Sequence, residues 1–464
     1  MSKILLQSNI DTVLQQVNHK SKTKLFSYTQ KINTCDPILF YQGNQHLFKG
    51  KAFFWKSPDE DFCLVGLGAA HVVKTKNSMN RFNYMEQKWN ELCEEAVIEN
   101  PFDISGTGPL LFGGFSFDPK STKDKVWESY GQSLFYLPKY MLTEVDGLFY
   151  ITVNNYCTSD EACTTIEASK LFIDELLENA VAHPSKPASI VKKQELGTNE
   201  WVETVGDIVD ALKQTSLQKV VLARKMRLEF SEHANIPFVL QQLVAQQPNS
   251  FIFALNAEKS CFLGASPERL VKKTGSEVLS TSLAGSIERS TDPQEDKRLE
   301  KLLLHDHKNL FEHQLVVSMI EDALRPYCNE INIPSMPKIM KTPDIQHLYT
   351  PVVGKMRSGN SILDIVEELH PTPALGGVPT TDAMEIIRNK EGMDRGFYAA
   401  PIGWFDYRDN GEFIVAIRSG LFQEEEAHLF AGCGLVYDSK PEDELIETRI
   451  KFRPMLRATG GKTV

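Results

Sequence analysis

The chain reads as an α+β protein in which large antiparallel β-sheets are stacked and surrounded by helices. Three observations predict this. Strand-like alternation recurs in well-separated segments, at least one pair of strands is joined by a short hairpin turn, and the long helical stretches do not alternate one for one with strands as βαβ units would. With 464 residues, 42% hydrophobic and 24% charged, the chain can bury a sizeable core and has an ordinary globular composition.

Up to about residue 180, strands and helices mix, with strand signals at Leu111–Phe117 and Gly147–Val153. A polar stretch at 182–199 is the expected connection between two portions of the chain. Lys219–Phe230 then alternates: Val220, Leu222, Met226, Leu228 and Phe230 share one face, and Lys219, Val221, Ala223 and Lys225 share the other. Phe251–Leu255, a turn at 256–260 and Cys261–Gly264 form a hairpin that delivers Ser266-Pro-Glu-Arg269 at a strand end. One long helix is expected from Pro293 to Leu324, with a stripe of Leu299, Leu302, Leu303, Leu310, Val317, Ile320 and Leu324 that Glu312 borders. Glu412–Phe422 reads as a further strand carrying Arg418. Ala431-Gly-Cys-Gly434 ends another strand, and Pro441 opens a helix.

On that last helix Glu444, Glu447 and Lys451 fall within about 60° of one another. Two carboxylates beside an ammonium could hold a hard cation such as Mg²⁺, which prefers oxygen ligands and keeps positions open for a ligand's oxygens. They could equally be an acidic first turn followed by an i,i+4 ion pair. Arg418, flanked on its own face by Ala416 and Gly420, has room to reach an anionic ligand or to lie along an edge. Lys219 either snorkels past its apolar neighbours or is desolvated enough to serve as a base.

Other motifs are empty. Gly460-Gly-Lys-Thr463 lacks the following helix that a phosphate loop must open, and Gly106-x-Gly108 precedes Pro109 and a strand. His305 and His307 diverge by about 200° on a helix, so with His313 they make no zinc site. The eight cysteines show no C-x-x-C spacing and are expected to be reduced and buried. The N-terminus lacks a continuous apolar leader and no apolar run reaches spanning length, so a cytoplasmic protein is expected. A net charge of −11 argues against nucleic acid or an anionic membrane as principal partner.

Seven segments in order, Lys219-Val-Val-Leu-Ala-Arg224, Phe262-Leu-Gly-Ala-Ser-Pro-Glu-Arg269, Ser282-Leu-Ala-Gly-Ser286, Lys308-Asn-Leu-Phe-Glu-His313, Leu369-His-Pro-Thr-Pro-Ala-Leu-Gly-Gly377, Val415-Ala-Ile-Arg418 and Ala431-Gly-Cys-Gly434, resemble the chorismate-utilising enzymes. Isochorismate synthases are the nearest branch. The resemblance covers roughly residues 200–458 as a chorismate-binding catalytic region. Residues 1–190, with Gly113-Gly-Phe115, resemble the family's more variable N-terminal half, the two together forming one compact unit.

The resemblance implies Mg²⁺-dependent isomerisation of chorismate to isochorismate. Lys219 would activate the water that attacks C2, and Glu268 would protonate the departing C4 hydroxyl. Glu312, Glu444 and Glu447 would hold Mg²⁺, and Arg418 would engage the enolpyruvyl carboxylate. Gly285, Ser286, His347, Tyr398, Gly432 and Lys451 would line the pocket. Ala284 stands where aminodeoxychorismate synthases place a nucleophilic lysine. Lys219 separates the chain from anthranilate synthases, whose Leu-Leu-Glu-Ser is only echoed by Leu5-Leu-Gln-Ser8, and no glutamine amidotransferase subunit is expected. Salicylate synthases share the same positions and go on to eliminate pyruvate. A silent metabolite-binding protein on this fold would not need them. The length and Gly377-Val-Pro-Thr380 lean toward menaquinone-type over siderophore-type enzymes.

Overall fold

The computed structural model describes residues 23–58, 61–76, 80–121, 124–182 and 185–461. The Leu5–Ser8 echo, the N-terminal stretch read for a leader, and the Lys462-Thr463 end of the glycine motif lie outside the described residues.

In chain order the elements begin β1 (Thr23–Ile32), α1 (Pro37–Asn44), β2 (Ala52–Lys56), β3 (Cys63–Thr75), α2 (Arg81–Glu94), β4 (Val97–Glu99), β5 (Leu110–Phe115), β6 (Ser133–Val145), β7 (Leu148–Thr158) and α3 (Ser159–Glu178). There follow β8 (Ile190–Glu195), α4 (Thr198–Gln214), β9 (Lys219–Phe230), α5 (Ile236–Gln246), β10 (Phe251–Ala257), β11 (Ser260–Ser266), β12 (Arg269–Thr274), β13 (Glu277–Glu288), α6 (Pro293–His305) and α7 (His307–Leu324). The chain ends with β14 (Cys328–Asn332), β15 (Lys338–Lys341), β16 (Ile345–Met356), α8 (Ile362–Leu369), β17 (Gly377–Val378), α9 (Thr380–Lys390), β18 (Pro401–Asp406), β19 (Gly411–Val415), β20 (Ser419–Gln423), β21 (Glu426–Leu435) and α10 (Pro441–Ala458).

Hydrogen bonding links these strands into one network, antiparallel throughout the described residues apart from the β1–β4 pair. The architecture is the expected α+β. Strands from early and late in the chain share edges: β2 pairs with β10, and β5 lies between β6 and β18. Side chains alternate along each strand, so one strand feeds two cores. In β2, Phe53 and Trp55 join a cluster containing Phe112, Phe251 and Phe405, whereas Ala52 and Phe54 join a second with Val65, Ile252 and Leu263. Both faces are dry, which is why several strands read as unbroken apolar runs.

Three expectations are corrected. The single helix over 293–324 is two, because Asp306 leaves helical geometry and its carboxylate accepts from Asn309 N at 2.8 Å, capping α7 while ending α6. The apolar stripe is therefore not continuous, and Leu302 is 49% exposed. The strand over 412–422 breaks into β19 and β20, with Arg418 at φ 50° in the left-handed region. The polar stretch 182–199 is not all connection: it contains β8, paired with β9, and the start of α4. Among the described residues seven cysteines are free thiols, with Cys93 and Cys157 only half-buried. No described helix is long and apolar enough to cross a membrane.

The first core centres on Phe112, fully buried, stacked on Phe53 at 4.2 Å and edge-on to Trp55 at 5.9 Å. Phe112→Ala should cost about 3–5 kcal/mol. The expected reading is a lower urea midpoint with an unchanged denaturant slope.

Candidate active site

Register builds the floor of the site. β9 and β21 pair so that Gly434 faces Val221 and Gly432 faces Ala223, leaving the strip beside Lys219 without side chains. A Cβ on Gly434 would lie 2.7 Å from Lys219 Cε and 3.2 Å from its Nζ. The lysine therefore runs across a bare backbone. It is 3% exposed, and its ammonium sits 3.8 Å from Glu312 on α7.

Glu268 is delivered by the corner between β11 and β12. Ser266 Oγ donates to Val415 O at 2.6 Å and accepts from Glu268 N at 3.2 Å, while Val415 N donates to Glu268 O at 3.1 Å. These bonds fix the carboxyl at 4% exposure. Burial pushes its pKa up to about 7, against the opposing pull of Lys219, Arg418 and Lys451. Desolvation wins over three nearby cations, so near neutral pH this group is a poised proton donor.

Arg418 follows from the β19–β20 break. Its carbonyl accepts from Ala265 N at 3.0 Å, which pins the left-handed turn and turns the guanidinium into the cavity, where burial lowers its pKa. On the facing wall a bulge in β13 between Leu283 and Ser286 places Ser286 opposite His347 of β16. Gly285 takes φ 79° there, and α7 packs so close that a Cβ would lie 3.0 Å from Asn309 O. Asn309 Oδ1 accepts from Ser286 N at 3.0 Å. Ser286 Oγ lies 3.0 Å from His347 Nδ1, and His347 Nε2 is buried with no partner. Burial, then Arg418 and Lys451, hold that imidazole neutral. Tyr398 stacks on Phe430 at 5.2 Å, its phenol pushed up by burial.

α10 closes the site. Lys451 donates to Gly432 O at 2.8 Å and pairs with Glu447. For Glu447, burial raises the pKa but is outweighed by Lys451, Arg418 and Lys308, so the carboxylate stays ionised; for Glu444, burial and then Glu447 raise it. Glu444 Oε2 is buried without a hydrogen-bond partner. Among the described residues no three His, Cys, Asp or Glu groups already stand as a metal cluster. Glu312 is drawn toward Lys219 and Glu447 toward Lys451 instead. Even so, three carboxylates on one cavity, one with an orphaned buried oxygen, are a donor set that fits a hard dication.

All twelve residues singled out in the sequence line this one cavity of ≈ 200 Å³: Lys219, Glu268, Gly285, Ser286, Glu312, His347, Tyr398, Arg418, Gly432, Glu444, Glu447 and Lys451. Lys308, Asn309, Leu375, Arg395 and Gly434 also line it and carry no role in the sequence reading. Lys308 and Asn309 could have been found from Glu312, one helical turn away on the same face. Arg395 had no periodic signal, because it comes from the irregular segment after α9.

The chain matches the chorismate binding enzyme family model over residues 12–460. It is 41% identical to the isochorismate synthase MenF of Bacillus subtilis over 454 residues, 97% of this chain and 95% of the relative. It is 34% identical over 465 residues to the salicylate biosynthesis isochorismate synthase of Pseudomonas aeruginosa, covering 98% and 95%. The solved structure of the menaquinone-specific isochorismate synthase MenF of Escherichia coli superposes with a TM-score of 0.77 at 21% identity, over 98% of this chain and 99% of that one, a likeness of fold. The chain belongs to the chorismate-binding enzyme family.

The titration of Glu268 has a measurable sign. Its folded pKa lies above the unfolded value near 4.3, so the stability it contributes is complete below about pH 4 and is lost as pH rises through 7. Glu268→Gln should match the parent near pH 4 and exceed it by about 3 kcal/mol above pH 8, read from denaturant midpoints across that range.

Proposed function

We propose that the protein is an isochorismate synthase that isomerises chorismate to isochorismate. The observation that carries this is that Lys219 and a protonatable, buried Glu268 line one small cavity together with Arg418, Lys451 and a neutral His347. Such a cavity suits a small dianion that must be hydrated at one ring carbon and dehydroxylated at another.

Lys219, once deprotonated, takes a proton from water as its oxygen bonds to C2. Both ring double bonds shift, C1=C2 and C5=C6 becoming C6=C1 and C4=C5, as the C4–O bond breaks and Glu268 donates its proton to the leaving hydroxyl, releasing water. One water enters and one leaves, so substrate and product are isomers. Arg418 holds the enolpyruvyl carboxylate through charge-assisted hydrogen bonds. His347 Nε2 and Ser286 offer neutral polar contacts that need no change of protonation. Tyr398 and the bare backbone at Gly432 and Gly285 set the width of the slot.

Glu312, Glu444 and Glu447 are the residues that would hold Mg²⁺, which when bound would supply positive charge to offset the acidic lining and an anionic substrate. The full-length 41% identity to the B. subtilis synthase supports the isomerase reading. The length of the N-terminal half and Gly377-Val-Pro-Thr380 support the menaquinone branch.

Purified protein incubated with chorismate and Mg²⁺ should form isochorismate without pyruvate, followed by chromatography over time; stoichiometric salicylate and pyruvate would establish a salicylate synthase instead. Lys219→Ala and Glu268→Gln should each lower kcat by about 10²–10⁴-fold while the circular dichroism spectrum is retained. Glu447→Gln should weaken Mg²⁺ binding by about tenfold in calorimetric titration without substrate, given the range for disturbed metal shells.

A further inference from the structure

One edge of β9 is incomplete where it matters. Toward β21 the strand is paired from Val220 to Glu229. On the opposite edge β17 covers only Lys219 and Val220, and β8 begins only at Met226. Between them the backbone groups of Val221 and Ala223 face no strand. Val221 N reaches Gly376 O at 2.9 Å, but Val221 O and Ala223 N would be left unpaired inside the protein, an expensive arrangement.

Two side chains take the place of the missing strand. Arg395 donates through Nη2 to Val221 O at 2.8 Å, and Glu391 Oε2 accepts from Ala223 N at 2.8 Å. The two are locked together, with Arg395 Nε donating to Glu391 Oε1 at 2.6 Å and a second bond from Nη2 to Oε2. Arg395 also donates through Nη1 to Leu375 O at 2.9 Å, and its guanidinium lies 4.2 Å from the centre of the Phe117 ring. The side chains are 2% and 1% exposed. A fully buried ion pair gives little net stability for its desolvation cost, so its worth lies in what it holds in place. What it holds is the strand backbone just after Lys219 and the adjoining Leu375 segment.

We propose that Glu391 and Arg395 are a positioning pair for Lys219: a bidentate ion pair that stands in for a strand and fixes the lysine's backbone against the cavity. This rests on the isochorismate synthase reading for its kinetic consequence but not for its structural one. Arg395→Ala would bury an unpaired carboxylate and is a poor probe, so the conservative variants Arg395→Lys and Glu391→Gln are preferred. A lysine keeps the charge but cannot span Val221 O, Leu375 O and Glu391 together.

In both variants amide exchange at Val221 and Ala223 should accelerate at least tenfold while amides of β16 stay unchanged. With chorismate, kcat should fall by about 10–100-fold and KM stay within threefold, as for a base displaced by a fraction of an ångström to one ångström. Unchanged exchange at Val221 and Ala223 would overturn the proposal, as would a raised KM with kcat intact, which would make Arg395 a substrate contact. If the parent protein leaves chorismate untouched, the functional reading fails, and the exchange measurement still decides the role of the pair.

Discussion

The pairing of β9 with β21 sets the rest of the site in place. In this register two glycines, Gly432 and Gly434, come opposite Ala223 and Val221, and a channel one side chain deep opens along the sheet. A slip of one residue would bring Cys433, in place of a glycine, onto the face that carries Lys219. The helix that follows β21 inherits the same register. Its Lys451 reaches back to Gly432 O, which places Glu444 and Glu447 on the lining of the cavity.

Charge inside the cavity is balanced by geometry as much as by number. Lys219, Arg418 and Lys451 each favour ionised Glu268, yet burial prevails and the carboxyl keeps a pKa of about 7. The same cations, Arg418 and Lys451, act with burial on His347 to remove its charge. One cluster thus yields a neutral imidazole, a proton-bearing acid and an ionised Glu447 within a single lining. These states are separated by direct contact: Glu447 is hydrogen-bonded to Lys451, whereas the cations around Glu268 act on it through space.

Much of this is legible in the sequence, unevenly. Alternation at 219–230 marks both the strand and the correct face for Lys219, since that segment is apolar on one side and mixed on the other. The hairpin at 251–264 places Glu268 at a corner. Arg418 points to the right cavity for an incomplete reason: small neighbours do mark it, but Ser419-Gly420 follows a break in the strand at Arg418 that alternation conceals. The helix break at Asp306 is hidden because leucines continue across it, although an Asp three residues before Asn309 is a capping signal. Arg395 and Glu391 escape notice because their work is done on backbone groups of another strand, which no local pattern encodes.

Arg418 carries a further consequence. Its backbone sits at φ 50°, where a residue with a Cβ gives up about 1 kcal/mol or more relative to glycine. At this position the fold would prefer the one residue that has no side chain to send into the cavity. A selection for thermal tolerance alone would therefore favour Arg418→Gly and enrich sturdy proteins whose cavity has lost its guanidinium. Any effort to harden this scaffold has to hold Arg418 fixed and look for its gains in the two cores.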